Sequence, residues 1–346
     1  MRRNMIILLS VIVLIGGVVL NSAKLFKKKH KGIAITLSDS IDTDDWYDQN
    51  LPKIKDIGGE LQVVTAVTVQ DKNDSSPLND PKIRSKFERL FSKSKQYGVK
   101  VTLIKPHIML PDFRDSFDRG TYAPKDINLF FNQWRDIILY YASVSAKNDV
   151  PILSITCETL ILTQNTYIPQ WKKIIDEVRS KYPELKLTMA FQKNELDREI
   201  RNHENGLNSI STSLDYISLN AYPIVNRLNK NNKVEVNDNL FAKIPGSYGF
   251  VESIQKANKY FHKEILITET GATPRSDTSK NYIRPINLDT TKPLDHVDQN
   301  LWVRIVLPIF LQMNEVEGVY IWHVNSPFQF LDSPTAVTIK ELYRKY

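Results

Sequence analysis

The segment PILSITCE, residues 151–158, is a nearly continuous apolar run that ends on a carboxylate. Because it does not alternate between apolar and polar residues, it is typical of a strand buried on both faces of a parallel sheet. It carries the single cysteine of the chain, Cys157, so no intramolecular disulfide can form. The segment therefore predicts an internal parallel strand with an acidic side chain at its carboxyl end.

Runs of this kind recur along the chain of 346 residues. The eight runs are IAITL (33–37), LQVVTAVTV (61–69), VKVTLIK (99–105), PILSITC (151–157), LKLTMAF (185–191), LDYISLN (214–220), EILITE (264–269) and GVYIW (318–322). Amphipathic stretches punctuated by Pro and Gly separate most of them and predict helices. These stretches cover about 80–97, 124–146, 167–181, 247–262, 298–314 and 335–345. The crossovers after the first and fifth runs show no clear helical pattern.

Eight strand–helix units predict the α/β class and a single (β/α)8 TIM barrel over residues 32–346. The loops after the third, sixth and seventh runs, 106–123, 221–246 and 270–297, are long. In such a barrel the strand-to-helix loops build the carboxyl-terminal face, where active sites lie. A walled cleft is therefore predicted on that face.

Residues 1–31 form a separate segment, predicted as a signal peptide or membrane anchor. Residues 5–20 are apolar, with two arginines before them and a lysine-rich juxtamembrane stretch after them. We predict an exported domain, either tethered to the cell surface by an uncleaved N-terminal helix or secreted. The basic residues after the apolar run outnumber those before it, and this distribution alone would place the body on the cytoplasmic side. Seven of the 46 Lys and Arg lie in this segment, which has no Asp or Glu, so the rest equal the 39 acidic residues in number. A neutral body argues against a nucleic-acid partner.

The chain lacks the sequence signatures of several classes of site. It contains no G-x-G-x-x-G, Walker loop, H-E-x-x-H or cysteine pair, so no cofactor and no metal are predicted. Two carboxylates remain, because Glu158 and Glu269 each follow or end an apolar run. Retaining glycosidic cleavage needs two such groups about 5–5.5 Å apart. The alternative is that both glutamates only contact solvent or lysine.

Four motifs in this order resemble the signatures of clan A retaining glycoside hydrolases. They are SITCETL (154–160), LDYISLNAYP (214–223), ILITETGA (265–272) and GVYIWHV (318–324). The segments LIKPHI (103–108) and WKKIIDEVRSKY (171–182) make the chain most similar to glycoside hydrolase family 113, known for β-mannanase activity. The resemblance covers roughly residues 32–335.

The resemblance implies a role for several residues of this chain. Glu158 would be the acid/base and Glu269 the nucleophile. Tyr222 would donate a hydrogen bond to the nucleophile, and Trp322 would form the floor of the sugar site. Lys105 and His107 would contact sugar hydroxyls. The residue types agree with these roles, although a tyrosine and a tryptophan at these positions would also suit packing at the barrel mouth.

The chain departs from the family pattern beside both glutamates. Many clan A enzymes have an asparagine before the acid/base, where it binds the sugar 2-hydroxyl, but this chain has Cys157. We expect Asn220 to replace that contact or to cap the following loop. The run after the nucleophile, residues 270–272, also differs. The sequence therefore does not determine the identity of the sugar.

Other residues are weaker candidates. Trp46 and Tyr122 would build outer sugar subsites or pack in loops, and His296 and His323 would contact substrate or have structural roles. Four aspartates lie in the loop after the first run but lack the EF-hand calcium spacing, so a solvated turn and helix N-terminal charges are predicted. These are Asp39, Asp42, Asp44 and Asp45. Core positions are predicted for Trp134, Trp171 and Trp302.

The sequence thus predicts a retaining β-glycoside hydrolase whose partner is a β-linked hexose polysaccharide or oligosaccharide. Two alternatives use the same cleft. One is a carbohydrate-binding barrel that has lost turnover, and the other is a transglycosylase that delivers sugar to an acceptor other than water. The sequence does not indicate an oligomeric state.

Overall fold

The predicted strands form a closed parallel barrel in the computed structural model, which describes residues 29–111, 118–226, 248–275, 282–283, 285–289 and 291–346. The strands are β1 (His30–Thr36), β2 (Glu60–Thr68), β3 (Val101–Met109), β4 (Ile152–Cys157), β5 (Lys186–Phe191), β6 (Ile217–Asn220), β7 (Ile265–Thr270) and β8 (Val316–Ile321). Each strand pairs with the next, and β8 pairs with β1, which closes the sheet. The chain is therefore an α/β protein with the predicted (β/α)8 TIM barrel fold.

A helix follows every barrel strand in the part of the chain that the structure describes. The helices are α1 (Asp44–Ile57), α2 (Ile83–Tyr97), α3 (Ile127–Lys147), α4 (Ile168–Lys181), α5 (Lys193–Glu204), α6 (Phe250–Phe261), α7 (His296–Gln312) and α8 (Pro334–Lys345). The six predicted helices are confirmed within a few residues of their predicted ends. Helices α1 and α5 occupy the two crossovers for which the sequence showed no clear pattern.

Local capping explains where α1 and α5 begin. The Thr43 side chain accepts a hydrogen bond from the Trp46 backbone N–H at the start of α1. At the start of α5, the Gln192 and Glu195 side chains bond reciprocally to backbone N–H groups, which forms a capping box. Both devices satisfy N–H groups that have no partner inside the helix.

The core consists of the barrel interior and the layer between strands and helices. The predicted core tryptophans, Trp134, Trp171 and Trp302, are fully buried, and each indole N–H donates to a backbone carbonyl at 2.8–2.9 Å. Inside the barrel the ring of Tyr320 packs against Gly32, where an added Cβ would lie 1.9 Å from the ring. A side chain at position 32 would therefore displace this ring.

The acidic loop after β1 has structural roles, as predicted. Asp44 and Asp45 lie in the first turn of α1, where their charge complements the helix dipole. Asp39 forms ion pairs with Lys82 and with the buried ammonium of Lys86. The loop therefore connects the start of α1 to Lys82 and to the first turn of α2.

Tyr122 packs inside a loop, which was one of its two predicted roles. Its side chain is fully buried against Phe130, and its hydroxyl donates to the backbone carbonyl of Asp74 at 2.5 Å. This contact ties the loop after β3 to the loop after β2.

The predicted anchor at residues 5–20 lies outside the described residues. Among the residues that the structure does describe, none of the helices is long and apolar enough to cross a bilayer. The division into residues 1–31 and 32–346, the membrane anchor and the export of the chain therefore stay predictions.

Candidate active site

The two candidate glutamates lie at the carboxyl ends of β4 and β7. Glu158 directly follows β4 in the left-handed backbone region, with a φ of 56°, and its N–H donates to the carbonyl of Ala190 on β5 at 2.8 Å. Glu269 is within β7, and its carbonyl accepts a hydrogen bond from Ala221 at 2.7 Å. A positive φ is uncommon outside glycine and is held by such surrounding contacts. The barrel thus fixes both carboxylates at one mouth.

Glu269 is surrounded by buried donors. The Lys105 ammonium bonds to its Oε1 at 2.5 Å, and the Tyr222 hydroxyl donates to its Oε2 at 2.8 Å. His107 Nε2 lies 3.5 Å from Oε1. Lys105 and His107 both lie on β3 and are fully buried. The resemblance assigns these two side chains to sugar hydroxyls, and in this structure both contact the Glu269 carboxylate.

Two further side chains at this mouth keep their protons. Burial, reinforced by the Glu269 charge, raises the pKa of the Tyr222 hydroxyl well above its ordinary value, so Tyr222 is a hydrogen-bond donor at neutral pH. Burial likewise raises the pKa of the Cys157 thiol well above its usual range. Its Sγ lies 3.8 Å from Glu269 Oε1, where it acts as a weak donor.

Glu158 has a different pair of partners. The Asn220 side-chain amide donates to its Oε1 at 2.9 Å, and the Arg119 guanidinium donates to its Oε2 at 2.9 Å. Thr268 donates to the Asn220 carbonyl oxygen at 2.9 Å, which fixes the orientation of the amide. The same amide lies 3.5 Å from Cys157 Sγ. The Asn220 amide and the Cys157 thiol therefore connect the hydrogen-bond partners of Glu158 with those of Glu269.

The Trp322 indole forms a half-buried surface beside Glu269. Its ring stacks on His107 with the ring centroids 5.5 Å apart and the planes 11° apart, and Lys105 Nζ lies 4.8 Å from the ring centroid. Gly271 makes room for this arrangement, because an added Cβ there would lie 2.3 Å from the Trp322 carbonyl oxygen. The departure from the family run at residues 270–272 thus includes a glycine that the site requires.

Not all candidates join this cluster. Trp46 packs its ring edge against Tyr47, 5.5 Å between centroids, and among the described residues no recorded contact links it to either glutamate. His296 begins α7 and bonds to Gln299 at 2.8 Å. His323 is buried, with its ring nitrogens in contact with Thr36 and the Asn325 backbone. A structural role therefore fits both histidines, while an outer subsite at Trp46 stays a prediction.

The buried His323 predicts a pH dependence of stability. Burial lowers its pKa from an ordinary 6.5 to about 4, so between these values the unfolded chain binds a proton that the folded chain does not. We expect the contribution of His323 to the free energy of unfolding to be fully present above pH 6.5. It should fall by roughly 3 kcal/mol as the pH drops to 4. Urea titrations of the wild type and of His323→Gln at pH 7 and pH 4.5 measure the difference. An equal pH dependence in both proteins would contradict the assignment.

A cavity of about 470 Å³ opens beside Glu158. Its lining combines the ends of β4 and β6 with one face of α5, from its first turn to its last, and the start of α6. The lining residues are Glu158, Gln192, Lys193, Asn194, Asp197, Arg201, Asn220, Tyr222 and Phe250. The cavity thus extends from one glutamate along the surface of α5.

One group of side chains at the mouth has the chemistry of metal ligands. Ligand atoms of His107, Cys157 and Glu269 all lie within 4.8 Å of one another. The Lys105 ammonium already bonds to the Glu269 oxygen that a cation would use. We therefore assign this oxygen to the Lys105 ion pair.

The sequence did not identify Arg119 or the polar surface of α5. Arg119 begins a short 3₁₀ turn, Arg119–Thr121, in the long loop after β3. Its contact with Glu158 spans 39 positions of the chain, and no local pattern indicates it. The length of the loop was the one available signal.

Comparison with known proteins identifies the family. A protein-family model described as Glycoside Hydrolase Family 113 matches residues 43–343, which is most of the chain. No curated protein sequence is significantly similar.

Solved structures agree with this match. A family 113 β-1,4-mannanase has a TM-score of 0.71 at 16% identity, covering 93% of this chain and 100% of its own. The family 113 β-mannanase of Alicyclobacillus acidocaldarius, in complex with ManMIm, has a TM-score of 0.70 at 13% identity, covering 91% of this chain and 96% of its own. At these identities the structures show the shared barrel, and the family model carries the assignment. The chain belongs to glycoside hydrolase family 113, in clan A, and is a glycoside hydrolase.

Proposed function

We propose that this glycoside hydrolase cleaves a β-linked, mannan-like hexose polysaccharide or oligosaccharide with retention of configuration. One observation carries the proposal: two carboxylates at one barrel mouth have different surroundings. The Glu269 side chain is 5% exposed and bonds to a buried ammonium, whereas the Glu158 side chain is 15% exposed and lines the cavity. The similarity to β-mannanase structures supports the choice of polymer.

In the first step Glu269 acts as the nucleophile. Its carboxylate attacks the anomeric carbon, the bond to the leaving sugar breaks, and Glu158 gives its proton to the leaving oxygen. The product is a glycosyl ester on Glu269. Lys105 and Tyr222 orient the carboxylate for this attack, because each bonds to a different carboxylate oxygen.

In the second step Glu158 acts as the base. It takes a proton from a water molecule, the water oxygen attacks the anomeric carbon, and the ester bond to Glu269 breaks. Two inversions give net retention. Arg119 and Asn220 position Glu158 through both steps, since each donates to one of its oxygens.

The remaining side chains at the mouth have supporting roles in the proposal. Trp322 offers an apolar surface for the C–H face of a sugar ring, and its stacking on His107 fixes its orientation. The Asn220 amide already donates to Glu158, so we assign Asn220 to positioning the acid/base. We do not assign it to the sugar 2-hydroxyl, which in many clan A enzymes is bound by the asparagine that Cys157 replaces here.

The test is a hydrolysis screen on β-mannan, β-glucan and aryl β-glycosides, with the anomeric form of the first product followed by proton NMR. We expect a β-linked polymer to be cut and the β-anomer to appear before mutarotation. An α-anomer formed first would contradict retention. Products extended on an added sugar acceptor would indicate a transglycosylase, and binding without any product would indicate a carbohydrate-binding barrel.

A further inference from the structure

The cavity beside Glu158 lies on the leaving-group side of the proposed reaction. Its lining includes Glu158, Asn220 and Tyr222, whose hydroxyl bonds to Glu269, but not Glu269 itself, Lys105 or Trp322. The acid/base protonates the leaving oxygen, so the sugar that departs must lie next to Glu158. A pocket that is lined by the acid/base itself, and reaches the nucleophile only through Tyr222, is therefore placed to hold the departing sugar.

One face of α5 forms the charged wall of this cavity. Lys193, Asp197 and Arg201 are spaced four residues apart, so their side chains lie along the same face of the helix. Phe250, at the start of α6, adds an apolar ring to the same lining. The wall thus combines charged groups with a surface on which a sugar ring can rest.

The Lys193 ammonium is fixed in place. It donates to both carboxylate oxygens of Asp197 at 2.6 Å and lies 5.7 Å from the Phe250 ring centroid. The Ser253 hydroxyl also donates to this carboxylate, at 2.7 Å. An ammonium has three N–H donors. Among the described residues the third N–H of Lys193 has no recorded hydrogen-bond acceptor, so it remains available to a ligand.

Arg201 carries the second positive charge of this wall. Among the described residues no ion pair joins its guanidinium to a carboxylate, whereas Lys193 pairs with Asp197 and also lies within the influence of the Glu252 charge. Burial lowers the pKa of Lys193, the hydrogen bond and charge of Asp197 oppose this, and the Arg201 charge adds a smaller lowering. In the part of the chain that the structure describes, the wall therefore presents one cation without an ion-pair partner beside one fixed N–H donor.

We propose that this wall binds an acidic sugar unit, whose carboxylate is received by Arg201 and Lys193 in the leaving-group position. The guanidinium presents paired N–H donors that match the two oxygens of a carboxylate. The inference rests on the proposed function, because the leaving-group side is defined by Glu158 as the acid/base. It narrows the substrate to a β-linked polymer that carries uronic acid units.

The test compares two trisaccharides that differ in one group. One is β-1,4-mannotriose, and the other carries a C6 carboxylate on its reducing-end unit. Binding is measured by calorimetry at low salt on the Glu158→Gln protein, in which turnover is slow. We expect the acidic trisaccharide to bind about 10-fold more tightly than the neutral one, as a charge-assisted hydrogen bond would give. Adding Arg201→Gln should reduce the ratio of the two dissociation constants to near 1, and Arg201→Lys should retain part of it.

The matched control is Arg84→Gln, which makes the same charge change on α2, where the side chain is 83% exposed. It should leave the ratio unchanged. Equal affinity for the two trisaccharides, no binding of either, or a ratio unaffected by Arg201→Gln would overturn the inference. Hydrolysis of both trisaccharides by the wild type is measured separately. An acidic preference in binding without any hydrolysis would support the carboxylate site and contradict the proposed function.

Discussion

Replacing Glu269 by glutamine is expected to lower kcat/KM by about 10⁴- to 10⁶-fold, the range found when an enzyme loses its nucleophile. The amide has almost the same size as the carboxylate but cannot form the glycosyl ester. Initial rates on an activated aryl β-glycoside measure the loss. Glu184→Gln makes the same chemical change on an exposed residue and should leave the rate unchanged. A folded Glu269→Gln protein with a rate within tenfold of the wild type would remove Glu269 from the mechanism.

The same substitution also affects stability, and this effect must be separated from the loss of chemistry. Lys105 is fully buried, and Glu269→Gln removes the carboxylate that it bonds to. Breaking a buried ion pair from one side costs about 3–5 kcal/mol, whereas removing both partners costs much less. The double variant Lys105→Met with Glu269→Gln should therefore be more stable than Glu269→Gln alone and equally inactive. Activity that returns together with stability would show that Glu269 acts only through folding.

The barrel was predictable because its strands are unusually uniform in sequence. Eight nearly continuous apolar runs correspond to strands that are buried on both faces. Helix α5 was not predictable in the same way. Its sequence, KNELDREIRNHE, turns Glu195, Asp197 and Glu199 toward the interior, and only two residues, Leu196 and Ile200, are apolar. Polar residues that are buried through contacts with other elements do not produce the apolar periodicity by which a helix is predicted from sequence.

The candidate site was predictable where its residues end strands. Glu158 and Glu269 follow from that position alone, because the carboxyl ends of parallel barrel strands share one face. The contacts that distinguish the two glutamates come from elsewhere in the chain. Arg119 reaches Glu158 from a loop, and Asn220 reaches it from β6, across 39 and 62 positions. Only the folded barrel brings such distant residues together.

Replacing Glu158 by alanine is expected to affect the two proposed steps differently. Substrates with poor leaving groups need the acid, so their hydrolysis should fall by about 10²- to 10⁴-fold, the usual contribution of general acid–base catalysis. Activated aryl glycosides should still form the glycosyl ester on Glu269, and its hydrolysis then becomes slow because no base activates water. The measurement is a burst of the aryl leaving group followed by a low steady-state rate.

Azide should restore part of the steady-state rate of Glu158→Ala, because it attacks the ester without a base. Removing the carboxylate opens space beside the Arg119 guanidinium, which is 7% exposed and would face the incoming anion. Azide that attacks an ester on Glu269 gives a β-glycosyl azide, since two inversions have occurred. An α-glycosyl azide would instead mean that azide displaced the leaving group directly, as it does when the nucleophile is missing. That product would exchange the roles of Glu158 and Glu269, and the leaving-group side of the cleft would then lie beside Lys105 and Trp322.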